Sequence, residues 1–235
     1  MSAPTIIVPF RDSGDGVRAA QLHDFLEHMK SQRPTMRVLV VQQPSDGRKF
    51  NRGALLNCGA AYAKKLFLGS THYIFHDVDL LMSEDLFRRY WDVPAKDEWL
   101  HFGACWKCYD SASYFGGIVA VRPQTFFAVH GFSNLFFGWG GEDDDLRRRV
   151  FGARHRIQRF SAYDGHIKDA EGLSLDEKLQ TLRENPQDKC LTKWETAAES
   201  QRLGATRDGV TTLAFKVTAE TVNPETMTHV ITVTF

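Results

Sequence analysis

Thr5-Ile-Ile-Val-Pro-Phe-Arg-Asp12 is an apolar, β-branched run that breaks off in a proline, an aromatic ring and two charges, and Arg37-Val-Leu-Val-Val41 is a second such run. Between them Val17, Leu22, Phe25, Leu26 and Met29 recur at helical spacing, so residues 5–41 read as a β-α-β unit. Parallel strands joined in this way place Pro9-Phe10-Arg11-Asp12 at the carboxyl edge of a sheet, where open α/β sheets bind ligands. Residues 55–68, rich in Ala and Leu, read as a second helix, and Tyr73-Ile-Phe75 as a third buried strand running into His76-Asp-Val-Asp79. The two aspartates then share the sheet edge with Arg11. Further on, 83–90 reads as a short helix capped by Ser83, 115–121 as a strand entered through glycines, and 123–130 as a helix. An aromatic, glycine-rich loop (131–139) precedes a charged helix at 142–151, a polar helical stretch at 169–202 is broken at Pro186, and 209–217 with 228–235 reads as a closing hairpin. The fold class expected is α/β, one domain with a mixed, mainly parallel sheet flanked by helices.

The 235 residues are 43 % hydrophobic and 25 % charged, the composition of an ordinary globular chain. Lys+Arg and Asp+Glu both number 29, which gives no electrostatic reason to expect a nucleic-acid partner. No window approaches the roughly 18 apolar residues of a membrane span, and the opening lacks the basic start of a signal peptide. The expectation is a chain that binds a compact ligand and, unless an N-terminal anchor was removed, is cytoplasmic. Cys58, Cys105, Cys108 and Cys190 are too few and too scattered for a disulfide framework. Cys105-Trp-Lys-Cys108 has C-x-x-C spacing but no second ligand pair for zinc, so free thiols are expected.

Two acidic constellations carry the chemistry. If Asp77-Val78-Asp79 is extended, residues two apart face one side, and the carboxylates supply hard oxygens for Mg²⁺ or Mn²⁺ at a diphosphate. Two acids also end a strand simply because strands end at the surface. Glu142-Asp-Asp-Asp145 follows Gly138-Trp139-Gly140-Gly141 and opens a helix. Capping against the helix dipole accounts for one or two of those four acids, not for all of them behind a glycine-flanked Trp. A Trp face suits a sugar ring, and a carboxylate beside it can take the proton of an attacking hydroxyl. Arg11 and Arg52 are candidates for phosphate oxygens, Gly116-Gly117 permits close backbone approach, and His166 is a candidate metal ligand.

Taken in order, Pro9-Phe10-Arg11, Phe50-Asn51-Arg52-Gly53, Asp77-Val-Asp79, Tyr114-Phe-Gly-Gly117, Gly131-Phe-Ser-Asn134 and Trp139-Gly-Gly-Glu-Asp-Asp-Asp145 resemble the β-1,4-galactosyltransferase family, and Asp208 to Val217 looks like its C-terminal segment. The resemblance implies a GT-A fold, a Rossmann-like domain binding a UDP-sugar with Mn²⁺ (or Mg²⁺) and inverting the anomeric centre. It implies a nucleotide-sugar half over about 1–130 and an acceptor half over about 131–235. By motif position, Pro9, Phe10, Arg11, Arg52, Asp77, Val78, Tyr114, Gly117, Trp139 and Glu142 would hold the donor. Asp143 would be the base, and Tyr114, Trp139, Asp143 and Asp144 would meet the acceptor. Asp79 would ligate the metal. The family completes that site with a Met and a His or two His, where this chain has Tyr163-Asp-Gly-His-Ile-Lys168. Either Asp164 joins His166, the favoured alignment, or Lys168 stands in the other place. Tyr114 goes with galactose, so UDP-galactose is the expected donor, a saccharide or glycolipid the acceptor, and β-1,4 the expected linkage. Transfer of N-acetylgalactosamine, or a sugar-binding module that retains the pocket, are the rival readings. Loops within about 91–113 and about 169–202 are expected to shape the acceptor site.

Overall fold

The computed structural model describes residues 3–12, 14–32, 36–107 and 111–235, and of Gln187 the backbone alone. Strand β1 (Ala3–Phe10) is flanked by β2 (Arg37–Gln42) and β3 (Ser70–His76), both parallel to it, with Ile6 opposite Val38 and Ile74. Helix α1 (Val17–Gln32) crosses from β1 to β2, and α2 (Arg52–Leu66) from β2 to β3. The expected β-α-β unit is therefore present and is extended by a second one.

The chain continues through β4 (Leu80–Met82), α3 (Glu84–Arg88), β5 (Glu98–His101), β6 (Ile118–Val121), α4 (Pro123–Ala128), α5 (Glu142–Gly152) and β7 (Arg156–Arg159). It ends with β8 (Ile167–Asp169), α6 (Leu175–Glu184), α7 (Lys193–Leu203), β9 (Lys216–Asn223) and β10 (Thr228–Thr234). Eight strands form one mixed sheet in the order β7-β5-β6-β3-β1-β2-β10-β9, and β4 pairs with β8 in a small antiparallel ribbon.

Side chains alternate across the large sheet, as a period of two demands. Ile7, Leu39, Val41, Tyr73, Phe75, Val119, Ile231 and Val233 face a core covered by α2, α4 and α5. Ile6, Val8, Val38, Val40, Ile74, Ile118 and Ala120 face the opposite core, covered by α1 and α3. Both faces being buried explains why the central strands read as continuous apolar runs.

Two expectations are corrected. Residues 91–113 are not all loop, because Glu98–His101 is a fully buried strand paired with β6 and β7. Residues 209–217 are not a strand along their length. Val210 is buried and bonded to the His130 carbonyl, Leu213 N–H bonds to Gly209 O, and the strand starts at Lys216. The helical stretches expected within 169–202 are α6 and α7, with the break at Pro186 between them. Cys58, Cys105 and Cys190 are buried free thiols, and Cys108 lies outside the described residues. Among the described residues no helix is long and apolar enough to cross a membrane.

Candidate active site

The carboxyl ends of β1 and β3 lie side by side, bringing Pro9, Phe10 and Arg11 next to Asp77. Pro9 and Phe10 are buried, and Phe10 belongs to the core packed under α1 and α3. Arg11 donates to the Arg48 carbonyl at 2.8 Å and lies over the Phe50 ring.

Asp77-Val78-Asp79 is a turn, not an extended segment, with Leu80 N–H approaching Asp77 O at 3.4 Å. The two carboxylates therefore serve different partners, which corrects the picture of both facing one ligand. Val78 between them is buried in the core. Asp77 N–H is fixed by the Gly117 carbonyl at 3.0 Å.

Arg52 gathers the first acidic group. It is the first residue of α2, which Asn51 caps by accepting from Ala54 N–H at 2.9 Å. Its Nε donates to Asp77 at 2.7 Å, and its Nη1 donates to Asp143 at 2.8 Å and lies 3.5 Å from Glu142. The guanidinium assigned by resemblance to a diphosphate is thus turned onto three carboxylates, with a side chain 13 % exposed. Burial alone would lower the Arg52 pKa, but Asp143, Asp77 and Glu142 outweigh it and raise it. For Asp143 burial raises the pKa well above the ordinary carboxylate value, Arg52 opposes, and Glu142 and Asp77 add to the rise. Glu142 is raised in the same way, burial first and Arg52 opposing.

Four acids open α5, and they divide by environment. Asp145 is buried and accepts from Arg149 Nε at 2.7 Å, while Arg149 also binds Asp208 at 2.8 Å. That pair ties α5 to residues 208–210 and is structural. Asp144 is exposed, Asp143 is partly exposed, and Glu142 is buried beneath them.

Glycines let the backbone close around these acids. A Cβ on Gly116 would collide with the Asp143 carboxylate, and one on Gly53 would lie 2.7 Å from Ser133 O. Gly117, at φ 73°, would carry its Cβ 2.8 Å from the Tyr114 hydroxyl, so that hydroxyl lies directly over the glycine pair. Trp139 is 47 % exposed, and its N–H donates to Asp188 O at 2.6 Å. Gly138 N–H donates to Phe50 O at 2.7 Å, and Gly138, Gly140 and Gly141 all have positive φ.

A second acidic group forms around Asp79. Oxygens of Asp79, Asp169 and Glu171 lie within 4.8 Å of one another, and among the described residues no other such trio of His, Cys or acidic ligand atoms occurs. Three hard oxygen donors suit Mn²⁺ or Mg²⁺. Burial lifts the Asp79 pKa to about 7, with Asp77 and Glu171 adding and Arg18 and Lys178 opposing. Asp164 and His166 do not join this group. The β4–β8 register sets Asp169 opposite Leu80 and Ile167 opposite Met82, and Ser83 N–H donates to the His166 carbonyl while His166 N–H donates to the Ser83 hydroxyl. Four residues of strand rise, roughly 13 Å, then separate the His166 backbone from that of Asp79. The Asp164 carboxylate accepts from Ser161 N–H at 2.7 Å in a capping box.

Several residues that build the site carry no sequence signal of their own. Asn57 brackets Phe132, accepting from its N–H at 3.0 Å and donating to its carbonyl at 2.8 Å, so the Gly131–Asn134 segment is strapped to α2. His101 bonds Gly116 O at 3.0 Å, and Arg159 donates to the Tyr114 and Ser111 carbonyls. Burial, with Arg159 adding, pushes His101 down to about 3 and keeps it a neutral donor.

Comparison with known proteins follows the same motifs. A family model described as the N-terminal region of glycosyl transferase group 7 matches residues 2–91, and one described as the N-terminal domain of galactosyltransferase matches 102–171, together more than half of the chain. Human beta-1,4-galactosyltransferase 4 is 37 % identical over 158 residues, which is 66 % of this chain and 44 % of that protein. Rat beta-1,4-galactosyltransferase 3 is 31 % identical over 235 residues, 95 % of this chain and 53 % of that protein. The chain spans about half the length of the curated relatives it matches. Among solved structures, the catalytic domain of Drosophila beta1,4galactosyltransferase 7 in complex with xylobiose superposes with a TM-score of 0.73 at 24 % identity, covering 99 % of this chain and 94 % of that one. A mutant of the same Drosophila protein, in complex with manganese, UDP-Gal and xylobiose, has a TM-score of 0.73 at 23 % identity, with the same coverage. The fold is that of GT-A glycosyltransferases, and the chain belongs to the β-1,4-galactosyltransferase family.

Proposed function

We propose that this chain is a metal-dependent, inverting glycosyltransferase that moves galactose from UDP-galactose to a hydroxyl of a saccharide or glycolipid acceptor, forming a β-1,4 linkage. The observation that carries the reading is the convergence of Asp143, Glu142 and Asp77 on Arg52 at the carboxyl edge of the sheet, with Gly116 under Asp143. The names of the relatives, and the manganese, UDP-Gal and xylobiose held by the Drosophila protein, support it.

In this reading Asp143 is the general base. A carboxylate whose pKa is lifted by burial is a better proton acceptor than an exposed one, and Arg52 opposes that rise. Its oxygen takes the proton of the acceptor hydroxyl as that oxygen attacks the anomeric carbon. The bond to UDP breaks on the opposite face, and its electron pair leaves with UDP. Glu142 and Asp77 border the donor sugar, Tyr114 over Gly117 limits the space beside its second carbon, and Trp139 with Asp144 meets the acceptor. Arg11, at the end of β1, serves the nucleotide diphosphate. Asp79, Asp169 and Glu171 would hold the divalent cation, which when bound neutralises charge developing on the diphosphate. Residues 1–130 then form the donor half and 131–235 the acceptor half.

The test is UDP release from a panel of UDP-sugars with and without Mn²⁺, against glycosides of glucose, N-acetylglucosamine, xylose and galactose. Metal-dependent release confined to UDP-galactose is the expected result. Release from UDP-N-acetylgalactosamine in preference would overturn the donor, and none from any donor with every acceptor would overturn the activity.

A further inference from the structure

Tyr114 stands just before β6 in a segment with no regular structure, and what holds it there comes from two neighbouring strands. β5 and β7 run parallel with His101 opposite Arg159, and Phe160 N–H donates to the His101 carbonyl at 3.1 Å. Nη1 of Arg159 meets His101 Nδ1 at 3.2 Å and donates to the Tyr114 carbonyl, while Nη2 donates to the Ser111 carbonyl at 2.9 Å. An arginine can only donate, so His101 Nδ1 accepts and the ring proton is on Nε2. That Nε2–H is the group 3.0 Å from the Gly116 carbonyl. One guanidinium thus fixes three points of residues 111–116, two carbonyls directly and the third through a fully buried imidazole. The same imidazole meets the Tyr114 ring edge-on, with 5.5 Å between centres. Gly103 makes the arrangement possible, because a Cβ there would collide with the Gly116 carbonyl oxygen.

We propose that Arg159 and His101 are positioning residues for donor choice, clamping 111–116 so that the Tyr114 hydroxyl stays over Gly117 and closes the space beside the second carbon of the donor sugar. This rests on the galactosyl-transfer reading and on the role given there to Tyr114. Arg159 is exposed, on a strand at the end of the sheet, so it adds little to the core. Its three contacts fall instead on the one segment that carries Tyr114 and Gly116, and a planar fork spans acceptors that a single ammonium could not. Without the guanidinium the imidazole loses the partner that fixes its tautomer, and the Tyr114 and Ser111 carbonyls lose theirs. The ring is then free to swing from Gly117, and a bulkier substituent on the second carbon fits. Because one charge-assisted bond corresponds to about tenfold in an equilibrium constant, discrimination between the two sugars should relax by about that factor.

The test is the ratio of N-acetylgalactosamine to galactose transfer, from the two UDP-sugars to one saccharide acceptor, for the parent, Arg159→Gln, Tyr114→Leu and the double variant. A ratio of two donors does not depend on the fraction of folded enzyme, so a merely structural role for Arg159 would not move it. The ratio should rise about tenfold in Arg159→Gln, rise in Tyr114→Leu, and go no higher in the double variant, where the clamp has nothing left to hold. A shift in Tyr114→Leu alone would overturn the clamp and leave Tyr114 in its role. A shift in Arg159→Gln alone, or additive shifts in the double variant, would show Arg159 acting by another route and overturn it too. No shift in any variant would sink the Tyr114 role and the clamp together. If Arg159→Gln fails to fold, Arg159→Lys takes its place and should move the ratio in the same direction, an unmoved ratio refuting the clamp. If the parent transfers neither sugar, the transferase reading fails by itself, and the ratio of the dissociation constants of the two UDP-sugars, measured by calorimetry on the same four proteins, decides the clamp by the same criteria.

Discussion

Replacing Arg52 by Gln tests whether that side chain organises the acids or binds the donor. The guanidinium meets carboxylates at 2.7, 2.8 and 3.5 Å and is 13 % exposed, so solvent screens these contacts little. Removing one partner of such a buried set costs about 3–5 kcal/mol at neutral pH. The loss depends on pH in a defined direction. Glu142 and Asp143 already have pKa values raised by burial, and Arg52 is what opposes the rise. Without it their folded-state values climb further above the unfolded ones, so the folded state binds more protons over that window. The deficit of Arg52→Gln should therefore shrink as pH falls toward the ordinary carboxylate range and grow as pH rises. Urea unfolding at about pH 5.5 and about pH 7.5 measures it. The same change should move the acidic limb of the turnover–pH profile upward by about 1–3 units, the usual effect of one neighbouring Arg on an Asp. An unmoved limb, accompanied by a higher KM for the UDP-sugar, would refute the organising role and return Arg52 to the donor.

Other substitutions separate the remaining roles. Asp143→Asn should leave UDP-sugar binding nearly intact and reduce turnover by about 10² or more, measured as UDP release under saturating acceptor. In Tyr114→Leu the hydroxyl over Gly117 is gone, and the ratio of N-acetylgalactosamine to galactose transfer should rise in paired donor assays. Gly53→Ala should destabilise the fold by about 1–3 kcal/mol, because the new methyl must displace backbone rather than a flexible side chain. Thermal unfolding would register that loss, and a melting point equal to the parent's would refute the close approach.

The parallel core of the fold was legible because its strands are buried on both faces, and 5–8, 37–41 and 73–75 have no other use for so many β-branched and aromatic residues. β5 was not, since Glu98-Trp-Leu-His101 carries a charge at one end and a histidine at the other. β7, Arg156-Ile-Gln-Arg159, is polar because it lies at the sheet edge. The acids of α5 could be recognised as a group, but their division could not, because it depends on Arg149 and Asp208 reaching Asp145 from one side and Arg52 reaching Asp143 from the other. Arg52 was identified as an anion partner by its chemistry, while the identity of the anions needed the turn at Asp77 to Asp79. Asp169 and Glu171 lie far along the chain from Asp79, and only the register of β4 on β8 brings them to it.

The position of β10 has a consequence for how the molecule is made. β10 slots between β2 and β9, and Val38 pairs with Thr228 across most of the chain's length. During synthesis β2 emerges early with its neighbour β1, yet its other side stays an open, apolar edge until residues near 228 have left the ribosome. Such an edge is a template for pairing with other chains, and contacts of this sequence separation form slowly. The nascent protein thus passes through a stage in which a strand of its apolar core is half paired. Substitutions in the β9–β10 turn, although distant from the acids, should therefore lower the yield of folded protein more than they lower the stability of molecules that have already folded.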